Sequence, residues 1–192
     1  MNLPNKLTLL RVALTPVFLL FLSVSLPLGY LWAAAVFATA SFTDFLDGYL
    51  ARRHGQVTSF GKLVDPVADK LLTTAALLAF LRFGWCDVWL VLLVLAREFL
   101  VTSVRMVAST QGVVIPANLW GKVKTVSQMV SILLILVLAE GARSLDCLAW
   151  LGENGRLPLL SGILLWATAL MTVVSGVTYI AQASKRIHFN AK

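Results

Sequence analysis

Long apolar runs broken by short polar stretches make up most of the chain. The first run is "LTLLRVALTPVFLLFLSVSLPL" at 7–28, and comparable runs recur at 31–51, 62–82, 86–109, 121–141 and 158–182. Each has roughly the twenty residues a helix needs to cross the ~30 Å hydrocarbon layer of a bilayer. Unsatisfied backbone is costly in lipid, and no ten-residue alternating pattern recurs, so helices rather than barrel strands are expected. The pattern predicts an all-α integral membrane protein, a six-transmembrane-helix bundle. With no internal repeat, low-complexity tract or long linker, residues 1–192 form a single domain.

Composition agrees with this pattern. The chain is 59% hydrophobic and 13% charged, against about 45–50% and 25% for soluble proteins. That excludes disorder for most of its length. Apolar residues follow Lys6 without a small-residue cleavage pattern, so the N-terminus is expected to be retained.

The net charge of +7 matters mainly through its location. Lys6, Arg11, Arg52, Arg53, Lys62, Lys122, Lys124, Lys185, Arg186 and Lys192 mark one face of the bundle. The opposite loops carry Arg82, Arg143 and Arg156, offset by Asp87, Glu140, Asp146 and Glu153. The positive-inside rule then puts both termini in the cytoplasm. This charge is expected to meet the lipid bilayer, and no nucleic acid is implied. The six tryptophans fall mostly near span ends, as an interfacial belt requires. Cys86 and Cys147 are read as two inert thiols rather than a disulfide or metal pair.

Only nine acidic residues occur, yet four of them fall in "FTDFLDGYLARRHGQVTSFGKLVDPVADKLL", residues 42–72. Asp44 and Asp47 are spaced i,i+3, and Asp65 and Asp69 are spaced i,i+4, so each pair shares a helical face. Consecutive helices joined by a short loop are antiparallel neighbours, so the two faces can meet at one depth, on the cytoplasmic side. Four converging carboxylates would repel one another and some would protonate. Arg52 and Lys70 offset part of that charge, and divalent cations offset it better. An all-oxygen donor set suits Mg²⁺, Mn²⁺ or Ca²⁺ rather than zinc. Two such cations can bridge a diphosphate and stabilise charge on attacking and leaving oxygens. Taken singly, each acid could instead be a hydrated helix-end residue paired with Lys or Arg. An ion path is the reading from another class, but it would spread acids through the depth of the bundle.

The pattern Asp44-x₂-Asp47-Gly48-x₂-Ala51-Arg52-x₈-Gly61-x₃-Asp65-x₃-Asp69 resembles the signature of the CDP-alcohol phosphotransferase family at every fixed position. The resemblance implies that family's six-helix membrane fold, a homodimer, and two divalent cations, with Mg²⁺ or Mn²⁺ as the expected metals. It implies transfer of a substituted phosphoryl group from a CDP-linked donor to an alcohol, with release of CMP. By position, Asp44, Asp47, Asp65 and Asp69 would hold the metals, and Asp69 would also be the general base. Asp44, Gly48, Ala51, Arg52 and Gly61 would form the CDP-donor site.

The acceptor depends on other residues. Arg97 and Arg105 lie eight positions apart on one face of the fourth helix, with Glu98 nearby on a different face. Lys122 and Lys124 begin the fifth helix. A phosphorylated acceptor could dock on Arg97, Arg105, Lys122, Lys124 and Arg11 through charge-assisted hydrogen bonds. Alternatives stay open for each: an ion pair of Arg97 or Arg105 with Glu98 or an Asp, anchoring for Lys122 and Lys124, and snorkelling for Arg11. The segments "NLPNKLTLLRVALTP", "GKLVDPVADKLL", "AREFLVTSVR" and "WGKVKTVSQM" resemble a bacterial branch of the same family. That likeness implies CDP-diacylglycerol as donor, sn-glycerol 3-phosphate as acceptor, and a place in the bacterial cytoplasmic membrane. Sister enzymes that use inositol phosphate or phosphatidylglycerol are the nearest rivals.

Overall fold

The computed structural model describes residues 3–54, 59–113 and 119–185, with side chains described at 8–43, 67, 68, 70–113 and 119–185. These residues form six α-helices: α1 (Leu3–Ser23), α2 (Gly29–His54), α3 (Ser59–Arg82), α4 (Val88–Thr110), α5 (Leu119–Ser144) and α6 (Arg156–Ser184). A short 3₁₀ turn, Asp146–Leu151, separates α5 from α6. No strand occurs among the described residues. Five helices follow the apolar runs to within a few residues. The first differs, because α1 stops at Ser23, short of the expected residue 28. Pro27 has no amide hydrogen to continue the ladder, and Leu28 adopts a positive φ of 57°, so the chain reverses tightly into α2.

Inside α1, Pro16 removes one backbone donor, and the Thr15 hydroxyl donates to the carbonyl of Arg11 at 3.1 Å. α1 packs along α2 and α3, α2 also meets α5, and α6 packs against both α4 and α5. The buried centre is built from Phe18, Phe37, Leu77, Phe80, Ile135 and Leu165. On its buried side α6 presents small and hydroxylated residues: Ser161, Thr168, Thr172, Ser175 and Gly176. Thr168 and Thr172 each donate to a carbonyl of their own helix at 2.7 Å. Small side chains let helix backbones approach closely where lipid tails supply no hydrophobic drive between helices.

The α3–α4 connection is fixed locally. Gly84, with φ 72°, ends α3, and Trp85 N donates back to Phe80 O at 2.9 Å. This is the 6→1 bond of a Schellman cap, and the Trp85 ring packs on Phe80 at 5.4 Å, as that cap favours. Trp85 also meets Tyr30 and Phe83, and at 7% exposure it belongs to the core rather than to an interfacial belt. The other five tryptophans are exposed. Asp87 caps α4 by accepting from Leu90 N at 2.9 Å, and it also accepts from the Trp166 indole at 3.0 Å, tying α4 to α6. Cys86 and Cys147 are free thiols. Burial, with Asp87 beside it, raises the Cys86 thiol to about 11, which keeps it protonated at neutral pH.

Glu140 is 4% exposed within α5, not in a loop as its place in the charge pattern suggested. Its carboxylate accepts from Tyr30 N at 3.0 Å and from the Ser144 hydroxyl at 2.7 Å. Tyr30 belongs to the first turn of α2, so Glu140 satisfies a donor left open at that helix end and opposes its dipole. Glu140→Ala is expected to destabilise the fold by ~1–3 kcal/mol. Thermal unfolding in detergent should show a lower Tm for Glu140→Ala and a smaller drop for Glu140→Gln, which keeps an acceptor.

Many large apolar side chains point outward, among them Leu92 and Phe99 on α4, Leu119 and Val126 on α5, and Leu159, Leu170 and Val177 on α6. Among the described residues, α5 and α6 are long and apolar enough to cross a membrane.

Candidate active site

Asp44, Asp47, Gly48, Ala51 and Arg52 lie on α2, and Gly61, Asp65 and Asp69 lie on α3. The helical backbone puts Asp44 and Asp47 on one face of α2, and Asp65 and Asp69 on one face of α3. The side chains of these eight residues lie outside the described set, as does the connection at 55–58. Among the described residues, no group of three His, Cys, Asp or Glu could hold a metal.

Next to Asp69, the described side chains build a polar cluster across four helices. Lys70 of α3 donates to Glu98 O at 3.1 Å and to the Thr102 hydroxyl, which itself donates to Glu98 O at 2.8 Å. Glu98 Oε1 accepts from Lys124 Nζ of α5 at 2.5 Å and from Arg97 Nη1 at 2.9 Å. On its other side, Arg97 Nη2 donates to the Ser175 hydroxyl of α6. Two turns along α4, the Arg105 guanidinium lies 5.9 Å from the centre of the Tyr179 ring, a cation–π distance.

The acceptor candidates are therefore placed unequally. Arg97 and Lys124 share one carboxylate oxygen. Lys124 is 3% exposed, whereas Lys122 is exposed. Positions two apart on a helix point about 200° from each other, so only one of these lysines can face inward. Arg105 is exposed above Tyr179. Arg11 is buried on α1, the helix that packs against α2 and α3. The contribution of α6 was missed from sequence. Its one signal there was the small polar pair Ser175–Gly176 inside an apolar run.

These observations define a helical protein with a cluster of charged side chains among the packed helices of a largely apolar bundle. The chain belongs to the CDP-alcohol phosphatidyltransferase family, whose model matches residues 1–174. It is thus an enzyme of a family of membrane-bound lipid synthases, and a membrane protein. Among similar proteins, the CDP-diacylglycerol–glycerol-3-phosphate 3-phosphatidyltransferase of Bacillus subtilis (strain 168) is 36% identical, over 94% of each chain. Its namesake from Rickettsia bellii is 40% identical over 96% of each chain. That of Pseudomonas fluorescens is 39% identical over 71% of this chain and 72% of its own.

Proposed function

We propose that this enzyme transfers the phosphatidyl group of CDP-diacylglycerol to sn-glycerol 3-phosphate, giving phosphatidylglycerol phosphate and CMP. The observation that carries this reading is similarity at 36–40% identity, over about 95% of the chain, to two enzymes named for that reaction. The cluster of Arg97, Lys124 and Lys70 adds the chemistry a phosphorylated acceptor needs.

In this reading the six helices cross the bacterial cytoplasmic membrane as one domain, with termini and site on the cytoplasmic side, and the chain works as a homodimer. The donor set of four carboxylates on α2 and α3 has the hard-oxygen chemistry of Mg²⁺ or Mn²⁺ sites. Asp44, Asp47, Asp65 and Asp69 would hold two such cations, which supply charge neutralisation and polarisation of the diphosphate. Gly48, Ala51 and Gly61 leave room for the nucleotide to approach, and Arg52 pairs with phosphate oxygens. Arg97 and Lys124 bind the acceptor's phosphate, with Arg105, Lys122 and Arg11 as further cationic candidates. Asp69 takes the proton of the 1-hydroxyl as that oxygen attacks the lipid-side phosphorus. The bond from that phosphorus to the CMP oxygen breaks, and CMP leaves.

The test follows CMP release by purified protein given CDP-diacylglycerol and Mg²⁺. Glycerol 3-phosphate, inositol phosphate, phosphatidylglycerol, serine or no acceptor is offered in turn. Release is expected with glycerol 3-phosphate alone. Release with a different acceptor would keep the chemistry and overturn the acceptor assignment.

A further inference from the structure

We propose that Glu98 is a positioning residue of the acceptor site, and that Ser175 and Gly176 of α6 complete its action from the opposite side. The inference rests on the transferase reading above and extends it to three residues that the family signature does not contain.

Lys124 and Arg97 come from different helices, yet one oxygen of Glu98 receives both, at 2.5 and 2.9 Å. Two cations held so close would repel one another, and a buried ammonium is costly without a partner. Glu98 offsets both penalties and so holds the two donors side by side on one oxygen. The other edge of Arg97 is held as well. Its Nη2 donates to the Ser175 hydroxyl, and its stem runs across Gly176, where an added Cβ would lie 3.0 Å from Arg97 Cγ. Any larger residue at position 176 would displace the arginine.

Two buried donors on this wall, Arg97 Nε and Tyr179 Oη, have no hydrogen-bond partner among the described residues. Tyr179 lies one turn beyond Ser175 on α6, and Arg97 Nε lies against Gly176 of the same helix. Buried polar groups are rarely left unpaired, and the oxygens of a bound phosphate are one kind of acceptor that would pair them. Glu98 itself offers such a ligand no donor. It acts through Arg97 and Lys124.

The experiment measures steady-state kinetics of the full-length enzyme with each substrate varied separately. Glu98→Gln keeps the size of the side chain and removes its charge. Its KM for glycerol 3-phosphate should rise about ten-fold or more, since small misplacements of binding groups carry penalties of that order. KM for CDP-diacylglycerol and kcat should stay close to wild type, and Glu98→Asp should recover part of the loss. Ser175→Ala and Gly176→Ala, on another helix, should raise the same KM in the same selective way. They carry the test alone if Glu98→Gln does not fold. Unchanged acceptor KM in the folded variants, or equal changes for both substrates, would overturn the positioning role while leaving the transferase reading intact. A wild-type enzyme that releases no CMP in response to glycerol 3-phosphate would overturn both.

Discussion

Asp69→Asn is expected to lower kcat about a thousand-fold while leaving the fold intact. The substitution preserves size and hydrogen-bonding reach but removes the negative charge that would accept the proton of the attacking hydroxyl. A positioned general base contributes about 10²–10⁴-fold, and under the proposed reading the loss of a carboxylate that would hold a metal would add to that. An alcohol is a weak nucleophile at neutral pH and needs a base to become a good one. Lys70, the next residue, is a cation already engaged with Glu98 O and Thr102. The check is single-turnover CMP release at saturating glycerol 3-phosphate and Mg²⁺, with thermal unfolding measured in parallel. Activity within ten-fold of wild type, in folded protein, would remove Asp69 as the proton acceptor.

Stripping divalent cations should abolish turnover, the second large effect. The signature places four carboxylates on two helices, and without cations their mutual repulsion would oppose binding of an anionic diphosphate. After exhaustive chelation, CMP release should fall to background. Added Mg²⁺ or Mn²⁺ should restore it and Zn²⁺ should not, because the proposed donors would all be oxygen. Asp44→Asn should need a higher Mg²⁺ concentration for half-maximal rate than wild type. Full activity in chelated protein would instead assign the carboxylates to some other task.

The helices were legible in the sequence because twenty-residue apolar runs leave the backbone few alternatives in lipid. Their ends were less so. The exit from α1 depends on Pro27 and on the positive φ of Leu28, a local effect that hydropathy averages away. Trp85 looked like a belt residue because it sits at a span end, but the cap at Gly84 turns its ring inward onto Phe80.

The basic residues show the same limit. Of the ion pairs left open for the two arginines of α4, the structure shows that of Arg97 with Glu98. Lys124 is delivered by α5 to the same oxygen, and no one-helix periodicity contains that fact. Ser175 and Gly176 carry no charge in an apolar run, and they become informative only once the stem of Arg97 lies across them. For the carboxylate pairs the sequence spacing and the helical backbone give a shared face within each helix, while their side chains lie outside the described residues.

One helix, α5, carries a buried charge toward each end: Lys124 held by Glu98 of α4, and Glu140 held at the start of α2. Sixteen residues separate them, about 24 Å of helix at 1.5 Å per residue. The helix is therefore fastened like a tie rod at two points. Sliding it by one turn, or rotating it by a quarter, would strand both charges in an apolar interior at once. Rocking motions of the kind that carry solutes across membranes would need that double release in every cycle. Those two contacts hold α5 against such motion at both of its ends.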